Sequence, residues 1–480
     1  MWRVNKELLI LAIGRVLQII ILFFTYRVMT TLLTTKEVGF YFLLMSFASY
    51  FGLVIMNPIG VYLTRKLHIW EHSAQLTKAF IIFNTFVLLA SLIAYPFALI
   101  SSYFIDFQSH SWLAIGTLLF SFLFSSTWNN TIIPSLNMLN YKIAFVVLTF
   151  FTQLFALIFS YIAVSHYGAS AFYWIAGQVI SFFIWFIIAA FFYFIQHNQK
   201  ILLIESHREV NKDRIKTLWS FSAPIAITNV SLWLLNQSYR PILEKFVGLE
   251  YLGFFGLGFG MASSLSVAFE YLLQQFYYPK YYKDLVGANK AERESAWNSL
   301  ANRIIPLYIF LCLFIGLLSP YFIRILAAEK FWDAYIFISI GIIVEFFRMT
   351  NNILSLATHS EMKTKDTVVP YFAGGIITFL TVLYGSQSEY FKIATPTFIV
   401  LGNILVFFLI RVKVRKLFII DFNYTNIFIP IALASPLLIG TYLRNVNDSI
   451  YFSVGALSLS GLYFLAIQVF LFNRGEKHYG

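Results

Sequence analysis

Residues 143–164 read IAFVVLTFFTQLFALIFSYIAV and residues 172–195 read FYWIAGQVISFFIWFIIAAFFYFI, with SHYGASA between them. Neither stretch contains Asp, Glu, Lys or Arg. Each is close to the roughly 20 apolar residues that a helix needs to cross about 30 Å of hydrocarbon. Strands of a membrane barrel would be about half that length and would alternate in polarity, which these do not. The pair therefore reads as two membrane-spanning helices. The same pattern recurs outward in both directions, giving fourteen expected spans: 8–30, 38–57, 79–101, 112–135, 143–164, 172–195, 217–240, 248–277, 303–323, 332–357, 367–384, 391–411, 427–443 and 450–472. The least typical are 367–384 and 427–443, which are short and carry paired glycine or proline. Composition agrees. Of 480 residues, 59% are hydrophobic and 12% charged, half the roughly 25% charged residues of a soluble domain. A cytosolic enzyme, a disordered chain and a disulfide scaffold are excluded, and an all-α polytopic membrane protein remains.

Charge placement orients the spans. With a cytoplasmic amino terminus, and span-edge residues counted with the adjoining segment, 24 of the 34 Lys and Arg residues fall in cytoplasmic segments, seven in outer segments and three well within spans. That asymmetry is the positive-inside pattern. It predicts a multi-pass inner-membrane protein with both termini cytoplasmic. It also accounts for the net charge of +12 as an orientation signal and a face toward anionic membrane lipids, with no nucleic-acid partner. The start, 1–30, is too long for a cleavable signal sequence and carries Arg15 and Arg27, so it reads as a retained helix. Cys312 is the only cysteine, lies in an apolar run and reads as packing. The chain has no Walker motif, no dinucleotide fingerprint, no CxxC motif and no large outer loop. No catalytic or metal site is expected. Gly256, Gly258 and Gly260, inside a span, read as close helix packing.

A faint duplication runs through the chain. Tyr26-Arg27 ends the first span and Gly39-Phe40-Tyr41 opens the second; Tyr239-Arg240 ends the seventh and Gly253-Phe254-Phe255 opens the eighth. Pro58 and Pro279 follow, each before a basic loop. Both copies start on the same side, which predicts two pseudo-symmetric six-helix lobes around a central cleft. The expected organisation is an amino-terminal lobe 1–196, a cytoplasmic linker 197–216, a second lobe 217–412, and two additional helices with a tail over 413–480. Two lobes about a cleft suit alternating access better than a channel.

The stretch from Leu8 to Trp70, including GRVLQ and YRVMTTLLTTKEVGFYFLLMSFASYFGLVIMNPIGVYLTRK, resembles the amino-terminal region of bacterial polysaccharide flippases of the multidrug/oligosaccharidyl-lipid/polysaccharide (MOP) exporter superfamily. PIAITNVSLWLLNQSYRPILEKFVGLEYLGFFGLGF, within 219–282, resembles the second lobe of the same family. There the family often places an acidic residue before the arginine, where this chain has Ser238-Tyr239. The resemblance implies a flippase for undecaprenyl-pyrophosphate-linked oligosaccharide repeat units of O-antigen or capsule. It further implies an H⁺ or Na⁺ gradient as driver, no cofactor, and a polysaccharide polymerase and chain-length regulator as partners.

Such a substrate needs a polar path through hydrocarbon, so polar residues within spans are the candidates. Arg15, with Gln18 three residues on, is a candidate pyrophosphate contact; snorkelling to headgroups is the bland alternative. Arg348 and Glu345 are three apart and share a face, either as a self-neutralising pair or with Glu345 coupling to an ion. Glu270 is the other acidic residue well inside a span, for which interfacial solvation competes with ion coupling. Arg27 and Arg240 are repeat-related substrate candidates near the outer face. Asn129, Asn130 and Asn236 can bind sugar hydroxyls or neighbouring helices, as can Asn229 and Gln237. Three within-span arginines against two clear carboxylates favour an anionic substrate. A lipid II or multidrug exporter of the same superfamily is the first alternative. A membrane polymerase or glycosyltransferase, which usually needs a sizeable outer loop, is the second.

Overall fold

The computed structural model describes residues 6–197 and 212–479; most of the expected linker, residues 198–211, lies outside them. Every described element is helical, with no strand among the described residues. Contacts divide the chain into two compact units, Met1–Trp233 and Leu234–Gly480.

The first unit contains α1 (Lys6–Leu32), α2 (Thr35–Phe51), α3 (Asn57–His72), α4 (Leu76–Ser91), α5 (Ala94–Ser101), α6 (Trp112–Met138), α7 (Lys142–Tyr167) and α8 (Ala171–His197), and α9 (Lys212–Asn236) up to Trp233. The opening stretch is the hairpin of α7 and α8. Its turn is made at Gly168, whose φ of +116° is the left-handed region that side chains avoid. Above the turn the two backbones nearly touch: a Cβ on Gly177 would run into the backbone of Ser160 and Phe159. Ser160 Oγ donates to the Trp174 carbonyl at 2.7 Å, and Ser181 Oγ to the Thr152 carbonyl at 2.8 Å. Small residues and hydroxyl bonds replace the hydrophobic drive that lipid removes. The hairpin seats α1 against α7 and α6 against α8.

Between α2 and α3 the chain forms a π-turn over Gly52–Met56. Continued i→i+5 bonding would require Leu53 to accept from residue 58, but Pro58 has no N–H. Asn229 of α9 supplies the donor: its Nδ2 lies 2.6 Å from the Leu53 carbonyl and 3.2 Å from Asn57 Oδ1. Ser222 Oγ and Trp233 Nε1 on α9 also donate to the Pro58 and Ser46 carbonyls, at 3.3 and 2.9 Å. The polar groups of α9 thus repair the broken helix. Asn229 is accounted for by this packing.

The second unit takes the end of α9 and then α10 (Tyr239–Phe246), α11 (Leu249–Asp284), α12 (Lys290–Leu317), α13 (Ser319–Leu326), α14 (Tyr335–Ser360), α15 (Val368–Gly385), α16 (Phe391–Arg415), α17 (Thr425–Ala434), α18 (Leu438–Leu443) and α19 (Ile450–Tyr479). Helix α14 packs on α11, α12 and α16, and α12 packs on α17 and α19. A Cβ on Gly258 would lie 2.5 Å from Phe337 Cβ and 2.8 Å from the Ala334 carbonyl, so this glycine serves close α11–α14 packing.

All fourteen expected spans are helical. Twelve helical stretches of the described residues are long and apolar enough to cross a membrane, and the other two expected spans are α6 and α14, of 27 and 26 residues. The repeat anchors differ locally. Tyr26-Arg27 lies within continuous α1, whereas Tyr239-Arg240 opens the separate helix α10. Pro241 follows directly and cannot donate to Gln237, so the chain cannot run through as one regular helix. Pro279, unlike Pro58, lies inside an unbroken helix, α11.

Candidate functional site

Two features of the second unit share α14. The first is a charge cluster. Arg348 Nε donates to Glu345 Oε2 at 2.6 Å, and Arg348 Nη1 lies 2.8 Å from Glu270 Oε2 on α11. Glu270 Oε1 accepts from Asn352 Nδ2 at 2.8 Å and from Gln274 Nε2 at 3.2 Å. Glu270 and Glu345 are both buried. Helical spacing builds this: residues 345, 348 and 352 fall on one face of α14, and 270 and 274 on one face of α11. With all three ionised groups charged, two carboxylates flank one arginine and the cluster carries a formal charge of −1. An uncompensated charge inside a membrane protein is costly, so such clusters attract a counter-cation.

The second feature is a groove of about 990 Å³. Its walls are apolar residues of α12 and α14, among them Ile309, Leu313, Ile342 and Phe346. Tyr335 and Leu354 of α14 both line it, and the 19 residue steps from one to the other span about 28 Å at 1.5 Å per residue. At the Tyr335 end stands Arg444, its guanidinium 5.1 Å from the Tyr335 ring centre. Trp297, Arg411 and Arg415 also line the groove, and Trp297 Nε1 donates to the Ile353 carbonyl at the Leu354 end. Cys312, expected as packing, is partly exposed and lines the groove.

Beside the groove runs a side-chain ladder, of which Asn298 lines it. Glu294, Asn298 and Asn302 recur every fourth residue along α12 and bond the backbone of the segment before α17. Glu294 Oε2 accepts from Ile419 N at 2.9 Å. Asn298 bonds the Ile419 carbonyl and Asp421 N, both at 2.9 Å, and Asn302 bonds the Asp421 carbonyl at 2.8 Å and Asn423 N at 3.0 Å. The three side chains imitate the edge of a strand. They hold Ile420, Asp421 and Phe422 against the groove.

The remaining candidates are dispersed. Arg15 Nη1 donates to Gln18 Oε1 at 3.0 Å, so the expected i,i+3 pair is formed, with Gln18 buried. Arg27 is half-buried in α1, and its carbonyl accepts from Thr31 Oγ1 at 2.7 Å. Asn129 is buried and its Nδ2 donates to the Ser125 and Phe182 carbonyls, at 2.9 and 2.8 Å, tying α6 to α8; Asn130 beside it is exposed. Asn236 is half-buried at the end of α9. Arg240 is buried, with Nε 3.2 Å from Tyr239 Oη. Sequence reasoning paired Arg348 with Glu345 and left Glu270 between interfacial solvation and ion coupling, without a partner residue. The structure buries Glu270 and brings it to Arg348. The signal was present in Gln274 and Asn352, one helical turn beyond Glu270 and Arg348. The Glu294/Asn298/Asn302 row was not singled out at all.

No established sequence-family profile matches the chain, and no curated protein sequence matches it. Solved structures do. The lipid II flippase MurJ in an inward closed conformation superposes with a TM-score of 0.62 at 14% identity, covering 98% of this chain and 99% of that one. Inward-facing and outward-facing structures of a multidrug resistance MATE family transporter of the MOP superfamily give TM-scores of 0.55 and 0.54, each at 11% identity. They cover 86% of this chain and 99% and 97% of theirs. The chain has the fold of MOP-superfamily transporters. At these identities the likeness is one of architecture. It agrees with the all-helical, multi-pass reading, and the structures it superposes on are those of a flippase and a transporter.

Proposed function

We propose that this protein is a flippase for an anionic, polyprenyl-linked saccharide. In its most specific form, the substrate is an undecaprenyl-pyrophosphate-linked O-antigen or capsule repeat unit, moved from the cytoplasmic to the outer leaflet of a bacterial inner membrane. The observation that carries the reading is the groove: apolar along about 28 Å, with Arg444 lining one end and Arg411 and Arg415 lining the groove as well. A long apolar chain fits such walls, and arginine suits the phosphates of a headgroup by bidentate bonding. Arg15 with Gln18, Arg27 and Asn130 in the first unit, and Arg240 and Asn236 in the second, are further candidate groups for phosphate and sugar hydroxyls. The resemblance of the amino-terminal stretch to polysaccharide flippases and the fold shared with MurJ support the same reading.

Coupling falls to the Glu345–Arg348–Glu270 cluster. A cation taken up there, H⁺ or Na⁺, neutralises the formal −1 charge and biases one conformation over another. The MATE neighbours and the buried carboxylates favour export of a cationic drug as the second reading. Leaflet assignment separates the two. In oriented inner-membrane vesicles from cells lacking the gene, a membrane-impermeant glycosidase should find single lipid-linked repeat units accumulated on the cytoplasmic leaflet. Normal leaflet distribution together with new drug sensitivity would favour the second reading.

A further inference from the structure

The turn joining α11 to α12 encloses a separate pocket of about 490 Å³. Tyr277, Lys280 and Asp284 line it from α11, and Glu292, Ser295 and Arg303 from α12. Arg303 is 4% exposed and Tyr277 3%. Arg303 Nη1 donates to Glu476 Oε1 of α19 at 3.0 Å, while Arg303 Nε and Tyr277 Oη are buried with no protein partner. An arginine Nε is a donor only, so its missing partner is an acceptor. Buried polar groups are rarely left unmade in proteins, and each such group calls for an explanation.

We propose that this pocket binds a phosphate ester. Arg303 Nε, the Tyr277 hydroxyl and the Lys280 ammonium supply donors for its oxygens, in the charge-assisted bonding that phosphates favour. The lining also carries two carboxylates, Asp284 and Glu292. Glu292 Oε2 is engaged by Asn289 N at 2.8 Å in the cap of α12, which leaves the Asp284 carboxylate for an ammonium group carried on the same ligand. Phosphoethanolamine, free or as a phospholipid headgroup, combines these features. The basic residues of the sequence assign the α11–α12 turn to the cytoplasmic side. The ligand competes with Glu476 for Arg303 and so acts on the end of α19, where Gly475 packs against the Arg303 side chain. This site does not depend on the transport reading.

The test is native mass spectrometry of the full-length detergent-solubilised protein, titrated separately with phosphatidylethanolamine, phosphatidylglycerol and inorganic phosphate. Tyr277→Phe, which keeps the ring, should weaken phosphate-ester binding about tenfold, as expected for the loss of one hydrogen bond to a charged acceptor. Glu476→Gln should tighten it by freeing the guanidinium, an increase that a merely structural Arg303 would not show. Preference for phosphatidylethanolamine assigns a lipid headgroup, and binding of inorganic phosphate alone assigns a soluble ester. Adduct levels that are equal in wild type, Tyr277→Phe and Glu476→Gln would overturn the proposal. So would the absence of binding by all three ligands.

Discussion

Replacing Arg348 with Gln removes the only cation between Glu270 and Glu345 in the cluster. The two bonds lost are short, at 2.8 and 2.6 Å, and both carboxylates are buried. Gln can donate to one carboxylate but cannot neutralise either. Breaking a buried ion pair from one side costs about 3–5 kcal/mol, mostly from the charge left behind. Arg348→Gln should therefore lower the melting temperature of the detergent-purified protein sharply and reduce its yield in the membrane. Glu345→Gln leaves a one-to-one Arg348–Glu270 pair and should cost less than about 2 kcal/mol, since Gln can still accept from Arg348 Nε. The triple change Glu270→Gln/Glu345→Gln/Arg348→Gln removes all three charges and should recover most of the stability lost in Arg348→Gln. Thermal unfolding followed by fluorescence size-exclusion chromatography reads all three variants. An unchanged melting temperature in Arg348→Gln, or a triple variant no more stable than that single change, would refute the charge argument.

Asn229→Ala orphans the Leu53 carbonyl and should cost about 1–3 kcal/mol. Adding Pro58→Ala restores an N–H that can close the helix and should reduce that cost, measured as a coupling in the melting of the double variant. Asn302→Ala removes the last rung of the ladder, with its bonds to Asp421 and Asn423, and should expose residues 416–424 to limited proteolysis at an unchanged helix content by circular dichroism. His110, in the loop before α6, stacks on Phe172 with ring centres 4.6 Å apart, and burial lowers its pKa while the nearby Glu37 partly offsets this. A depressed histidine stabilises the fold above its ordinary value of about 6.5 and loses that contribution as pH falls below it. The melting temperature should therefore decline on acidification below about pH 6.5, less steeply in His110→Gln.

How much of this was legible follows from which interactions have a sequence period. The α7–α8 hairpin was readable from length and apolarity, and ten further spans are long and apolar enough to be found in the same way. The Arg15–Gln18 and Arg348–Glu345 contacts were readable because i,i+3 neighbours on a helix meet whatever surrounds them. The Glu270–Arg348 contact was not legible because its two residues are 78 positions apart, and only packing of α11 on α14 brings them together. The same holds for Asn229, whose partner is a carbonyl freed by the proline five residues later in a π-turn. The Glu294/Asn298/Asn302 row has a plain period of four, but its partners are backbone groups with no side-chain signature. The groove is likewise a property of six helices and a loop, visible in no one of them.

The central claim is that the protein itself carries lipid-linked saccharide across a bilayer. The most direct test reconstitutes purified protein in liposomes loaded on both leaflets with undecaprenyl-pyrophosphate-linked oligosaccharide under an imposed H⁺ or Na⁺ gradient, with a membrane-impermeant glycosidase added outside. The account predicts that digestion proceeds from about half of the glycan toward completion with wild-type protein, and stops near half with a groove-filling Leu313→Trp variant that is equally well folded. Digestion that stops near half in both, under either gradient, would contradict it.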